Sequence, residues 1–206
     1  MASKQLALIG LLAPVVFWAT YLIMSSMRPE YSFMTKAISE LGSLDAPNRR
    51  VWNIIGYILV GVMITVYSFG LFREVSGGTG RKLPLVGLAL SGLFMAMSGV
   101  FPGDFDHRSS TTMVLHTVGS FGSYGFFLLA AFTFPRLMKQ SEYWQPAVVP
   151  TLTFTWLTIV FGAWPLVFSE VPAIGQRIVF FFYFMWIGYT ALRAYRTPSP
   201  PNDQLL

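Results

Sequence analysis

Apolar residues run in long blocks along this chain, and polar residues gather in the gaps. Six blocks approach the ~20 residues that a bilayer core asks of a helix: 6–24, 51–72, 83–101, 112–134, 146–168 and 173–195. The sixth is the shortest. Its uncharged stretch, 178–192, reaches full length when Arg177 and Arg193 extend their side chains toward opposite interfaces. A soluble helical bundle would need a polar stripe along each helix, and the second, third and fifth blocks have none. The pattern therefore predicts an all-α integral membrane bundle of six transmembrane helices over residues 1–196. The tail 197–206, with its prolines, Asn202 and Asp203, reads as disordered.

One gap has a pattern of its own. Met34, Ala37, Ile38 and Leu41 fall at i, i+3, i+4 and i+7, one face of a helix. This predicts a short amphipathic helix over about 33–41, lying in the interface plane. Ser32 or Thr35 would cap its start, and Gly42 would end it in a left-handed conformation. Asn48 is then the expected N-cap of the second span, and Trp52 the expected interfacial ring.

Composition agrees with the membrane reading. Only 11% of the 206 residues are charged, against about 25% in a soluble domain. Cysteine is absent, which removes disulfides, thiolate nucleophiles and cysteine metal sites. A net charge of +5 in a soluble protein would point to nucleic acid, but here the basic residues sit between apolar spans, where they set orientation. The start passes for a signal peptide, but the first apolar run is long and no small-x-small cleavage site follows it, so it reads as a retained helix. Eight basic residues fall on the side of the termini and six on the other, which predicts a cell-membrane protein with both termini cytoplasmic.

Two polar clusters share the outer, extracytoplasmic face by span parity. Glu40 is either half of an exposed Lys36/Glu40 pair or a carboxylate aimed into a pocket. After Pro102-Gly103, the loop carries Asp104, Asp106, His107 and Arg108, and His116 lies about a turn inside the fourth span. An ionisable group inside a span is a functional candidate. The competing reading of His116 is a histidine bonded to a loop carboxylate or a backbone carbonyl. Helical spacing puts it on a face with Gly119, Ser120 and Ser123. The expected arrangement is an outward-facing pocket in which Glu40 and Asp104 flank His116. Ser39, Asn48, Asn53, Ser120 and Ser123 would be the ligand-contacting residues. Glu40, Asp104 and His116 could also hold a divalent metal, though no Glu-x-x-His or His-x-x-x-His spacing is present. Haem is not expected, because bis-histidine ligation would have to use both histidines, His107 and His116. The small residues of the third and fourth spans, such as Gly87, Gly92, Gly119 and Gly122, predict a tight hairpin; a small-molecule channel along that seam is the alternative.

Several of these pieces form a combined signature: Ile38-Ser39-Glu40-Leu41-Gly42, then Pro47-Asn48 with Asn53 and Gly56, then Gly99 to Asp104, then His116. In this the chain resembles the bacterial and archaeal membrane family known as domain of unknown function 998 (DUF998). It is more distantly similar to the Frag/DRAM/Sfk group of six-span proteins, some of which are linked to lipid remodelling or distribution. The resemblance implies a six-span plan and marks Glu40, Asn48, Asn53, Asp104 and His116 as positions of interest. It implies no activity.

Three functions compete. One is binding or processing of a lipid or other amphipathic molecule, with His116 as general base in an enzymatic version. The second is a small-molecule or proton-coupled transporter, and the third a structural or partner-binding membrane protein. The expected partner in every case is the bilayer, and no nucleic-acid motif is present. Reporter fusions after Gln140 and after Leu206 should both score cytoplasmic, and one after Ser109 external. Disagreement between the first two would break the span count.

Overall fold

The computed structural model describes residues 3–197. Six helices organise them: α1 (Ser3–Ser26), α2 (Arg49–Ser76), α3 (Leu83–Val100), α4 (Thr111–Met138), α5 (Gln145–Val167) and α6 (Pro172–Tyr195). All six are long and apolar enough to cross a membrane, and no strand occurs among the described residues. Their ends lie within four residues of the apolar blocks. Two helices are irregular. α2 winds as a π-helix over Trp52–Leu59. α5 opens with a 3-10 turn, breaks at Ala163 and resumes as the short Trp164–Val167 turn, with Pro165 just inside it. Apart from Thr197, the tail expected to be disordered lies outside the described residues.

α3 and α4 form the tightest pair, as their small residues predicted, and α2 lies against α3. α1 packs between α2 and α6, and α5 leans on α6 with only a slight contact to α4. The close approaches depend on missing side chains. A Cβ on Gly61 would collide with the Gly92 carbonyl oxygen and stand 2.7 Å from the Ala96 nitrogen. One on Gly87 would stand 2.9 Å from the Ala130 nitrogen. In lipid, where apolar side chains gain nothing by leaving the solvent, such backbone proximity is the main source of helix association. Two pairs of polar side chains bond across helix interfaces. The Tyr67 hydroxyl donates to Thr190 Oγ1 at 2.9 Å, and Ser91 meets Tyr183 at 3.1 Å.

The two arginines that bound α6 do reach opposite ends, about 24 Å apart along the axis at 1.5 Å per residue. Arg193 lies over the Tyr143 ring at 4.5 Å and donates to the Tyr143 carbonyl. Arg177 is held at the other end by the loop that follows α1.

That loop differs from the expected amphipathic helix. Residues 33–36 form turns, and helix exists only as the five-residue 3-10 segment Ile38–Gly42. Ile38 and Leu41 are fully buried, whereas Phe33 and Met34 are exposed. The i, i+3, i+4, i+7 pattern mixed one docking pair with two residues of a different turn. Trp52 also departs from its expected interfacial place, since it is fully buried and packs its ring 5.6 Å from Phe17.

Gly61→Val should cost about 1–3 kcal/mol through overpacking of α2 on α3, lowering the melting temperature by about 2–12 °C in a chain of this size. Gly125→Ala, whose Cβ would meet nothing within 4 Å, should leave it unchanged or raise it. Equal melting of Gly61→Val and the parent would contradict the close contact.

Candidate functional site

The three connections opposite the termini converge. Leu44 N donates to Gly103 O at 2.9 Å, Ala173 N to Met34 O at 3.1 Å, and Ile38 N to Gln176 Oε1 at 2.8 Å. The shared face expected from span parity therefore exists as a hydrogen-bonded cap over the bundle.

Arg177 fastens that cap. Its guanidinium donates to the Tyr21 and Tyr31 hydroxyls, both at 2.7 Å, to Ala173 O at 2.8 Å and to Lys36 O at 2.9 Å. The rings of Tyr21, Tyr31 and Phe33 surround it at 5.5–5.7 Å. No carboxylate pairs with it among the described residues. Ring faces and carbonyl dipoles supply the negative potential instead. Burial pushes the Tyr31 hydroxyl well above its ordinary range, so it stays protonated and donates onward to Ala37 O at 3.0 Å.

Glu40 serves the backbone of the 3-10 turn. Its Oε1 accepts from Ala37 N at 2.7 Å, and its Oε2 lies 3.6 Å from Lys36 Nζ. Its own carbonyl accepts from buried Arg28 at 2.8 Å. Gly42 follows, with no left-handed φ. Glycine is required there for space, because a Cβ would collide with Asn53 Oδ1 and stand 2.5 Å from Trp52 Cδ1. Asn53 is buried and donates through Nδ2 to Gly42 O at 2.9 Å. Asn53 Oδ1 and Trp52 Nε1 are buried without a hydrogen-bond partner among the described residues. The π winding puts Trp52 and Tyr57, five residues apart, on one side with rings 5.3 Å apart. Asn48 does occupy the N-cap position of α2, but its side chain makes no capping bond and is exposed.

Asp104 closes the α3–α4 loop. Its Oδ1 accepts from His107 N at 3.0 Å and lies 3.4 Å from His107 Nδ1. Partial desolvation alone would raise its pKa. Ser110 and the backbone and ring of His107 together outweigh that, and hold the carboxyl below its ordinary range. Buried His116 caps the end of α3. Its Nδ1 lies 3.0 Å from Ser98 O and 2.9 Å from Phe101 O. Both partners only accept, so Nδ1 carries a proton and donates it toward them. These carbonyls are among those a helix end leaves unpaired. The Tyr57 ring packs edge-on against the imidazole at 6.2 Å.

No hydrogen bond or ion pair among the described residues joins Glu40, Asp104 and His116 to one another. Nor do the described residues contain a group of three or more His, Asp or Glu side chains placed to hold a metal. Each of the three polar residues is engaged with nearby backbone.

The open space lies beside them. A crevice of about 290 Å³ opens where α4 stands away from α5 and α6, in the half of the bundle under the cap. Ser120 and Ser123 line it, as does Ser98, whose Oγ lies 3.2 Å from Ser120 Oγ. Tyr57, Tyr124, Tyr183 and Gln176 add polar groups, while Met95, Phe121, Val179 and Phe180 supply apolar wall. No carboxylate, imidazole or amine is among the described lining residues. Sequence reasoning reached the two serines through the small-residue face of α4. It missed the tyrosines and Gln176, because charge was taken as the marker of a site. Hydroxyls recurring near the ends of apolar spans were the available signal.

Six apolar helices, a hydrogen-bonded cap on one face and an uncharged crevice beneath it define a multi-pass α-helical membrane protein. The family model described as "Protein of unknown function (DUF998)" matches residues 11–193, and the chain belongs to that family. No curated protein and no solved structure matches the chain.

Arg177→Ala should free the cap, since a hydrogen bond to a charged group is worth about 1.5–3 kcal/mol and the exchange of cap amides should rise about a hundredfold. Hydrogen-exchange mass spectrometry over residues 31–42 reads this. Arg177→Lys reaches fewer of the four acceptors and should fall between. A lysine variant as protected as the parent would show that charge alone holds the cap.

Proposed function

We propose that this protein binds an amphipathic molecule of the membrane in the crevice between α4, α5 and α6. The observation that carries the reading is the lining itself. An apolar wall suits a hydrocarbon chain, and an uncharged ring of hydroxyls suits a neutral polar group such as an alcohol, ester or amide. The Tyr124 hydroxyl meets Thr158 Oγ1 at 3.3 Å and the Tyr183 hydroxyl meets Ser91 Oγ at 3.1 Å, and a hydroxyl has capacity for a further partner. In a low-dielectric site a charged group without a counter-charge would be expensive, which favours a neutral occupant. Phe121, one of the residues lining the crevice, is strongly exposed on the outer surface of α4, consistent with entry from lipid.

Binding is favoured over passage. About one turn further in, Phe127 and Trp186 are fully buried with rings 5.7 Å apart, and Ile187 is buried beside them. The space is blind in that direction. Turnover gains no support from the lining, which offers hydroxyls but no group of ordinary basicity to activate them. With the termini cytoplasmic in a plasma membrane, the crevice would face the outer leaflet.

Lipids extracted from protein purified in a mild detergent should include one amphipathic species at near-stoichiometric amount. Gly162→Phe plugs the crevice, because a Cβ there meets only the Tyr124 hydroxyl at 3.8 Å and Val179 at 4.0 Å. It should lower the bound amount about tenfold, equivalent to about 1.4 kcal/mol, with thermal stability kept. Equal lipid content in parent and variant would exclude this crevice as the site.

A further inference from the structure

The opposite face carries a second cavity of different chemistry. It measures about 340 Å³ and lies between the start of α3 and the end of α4. Arg81 and Arg136 stand at its walls with Gln140, and Leu83, Pro84 and Leu137 form its apolar side. Its origin is geometric. The two helices touch backbone to backbone at Gly87 and Ala130, then separate over the last turn toward the aqueous phase. Both arginines are exposed. The three ion pairs among the described residues, Arg28–Glu30, Lys36–Glu40 and His107–Asp104, all lie on the other face. Neither Arg81 nor Arg136 has a carboxylate partner among the described residues.

We propose that this notch binds the phosphate of an anionic phospholipid. Two guanidinium groups across one cavity match a phosphodiester, whose oxygens accept paired N–H donors. The positive end of the α3 dipole points at the same place. A phospholipid is favoured over a soluble phosphate because the notch continues into apolar surface. Leu83, Val86 and Phe132 are all exposed on the helices that form it. Basic pockets between transmembrane helices at the membrane edge are the recurring form of such sites. The site is separate from the crevice and stands or falls independently of it.

Native mass spectrometry of the full chain, titrated with dioleoyl phosphatidylglycerol, tests the assignment. One molecule should bind preferentially. Arg81→Ala and Arg136→Ala should each weaken it about fivefold, and the pair roughly twenty-fivefold, at about one such step per arginine. Arg73→Ala removes an exposed charge from the same face but outside the notch, and should change little. Dioleoyl phosphatidylcholine should bind more weakly than the anionic lipid, and inorganic phosphate at equal concentration should not displace it. Unchanged affinity in the double variant would overturn the proposal. So would an equal loss in Arg73→Ala, which would mean diffuse surface charge. Displacement by inorganic phosphate would overturn the lipid assignment in favour of a soluble anion. Unaltered melting of the variants in lipid-free detergent shows that loss of binding is not loss of fold.

Discussion

Close backbone contact among α2, α3 and α4 is the constraint on which the rest of this structure depends. Lipid tails solvate leucine as well as another helix does, so burial alone cannot hold the spans together. Gly61, Gly87 and Gly92 let neighbouring main chains meet where any side chain would collide. Gly119 does the same toward Ser98 and the Phe94 carbonyl. With three helices locked in this way, α5 is left to lean on α6, and the space between α4 and the α5–α6 pair remains open. Packing and cavity are two consequences of one distribution of small residues.

The cap follows from the low dielectric beneath it. Helix ends expose unpaired carbonyls and amides, and near the membrane these need partners from the protein. His116 answers for the end of α3, Thr112 for Pro102 O at 2.8 Å, Glu40 for the 3-10 turn, and Arg177 for the loop carbonyl of Lys36. Ionisable residues that stand out in so apolar a chain are here largely committed to closing the backbone. Gln176 links the two regions, because its Oε1 accepts from the cap while the residue lines the crevice.

The six spans were legible in the sequence because length and apolarity alone define them, and bilayer thickness fixes the length. The hairpin of α3 and α4 was legible for the same kind of reason, from Gly87, Gly92 and Gly119. The segment after α1 was not. Ile38 and Leu41 are buried by tertiary docking, and a three-residue spacing fits a 3-10 turn as well as an α-helix. Trp52 was placed at the interface on residue type, but the π winding of α2 turns it into the core. Gly42 was expected to end a helix in a left-handed turn; its φ is not left-handed, and glycine stands there because the Asn53 and Trp52 side chains leave no room for a Cβ. As for the site, charge drew attention to Glu40, Asp104 and His116. The crevice is bounded by Ser120 and Ser123, which the small-residue face of α4 had marked, and by tyrosines and Gln176, which in sequence look like ordinary span residues.

A density map of the protein in lipid nanodiscs tests the central claim most directly. The account predicts elongated density in the crevice between α4, α5 and α6, with its polar end within hydrogen-bond distance of Tyr124, Tyr183 or Ser123. A crevice closed by α4 against α6, with Phe121 and Phe180 filling the space and no density between them, would contradict it.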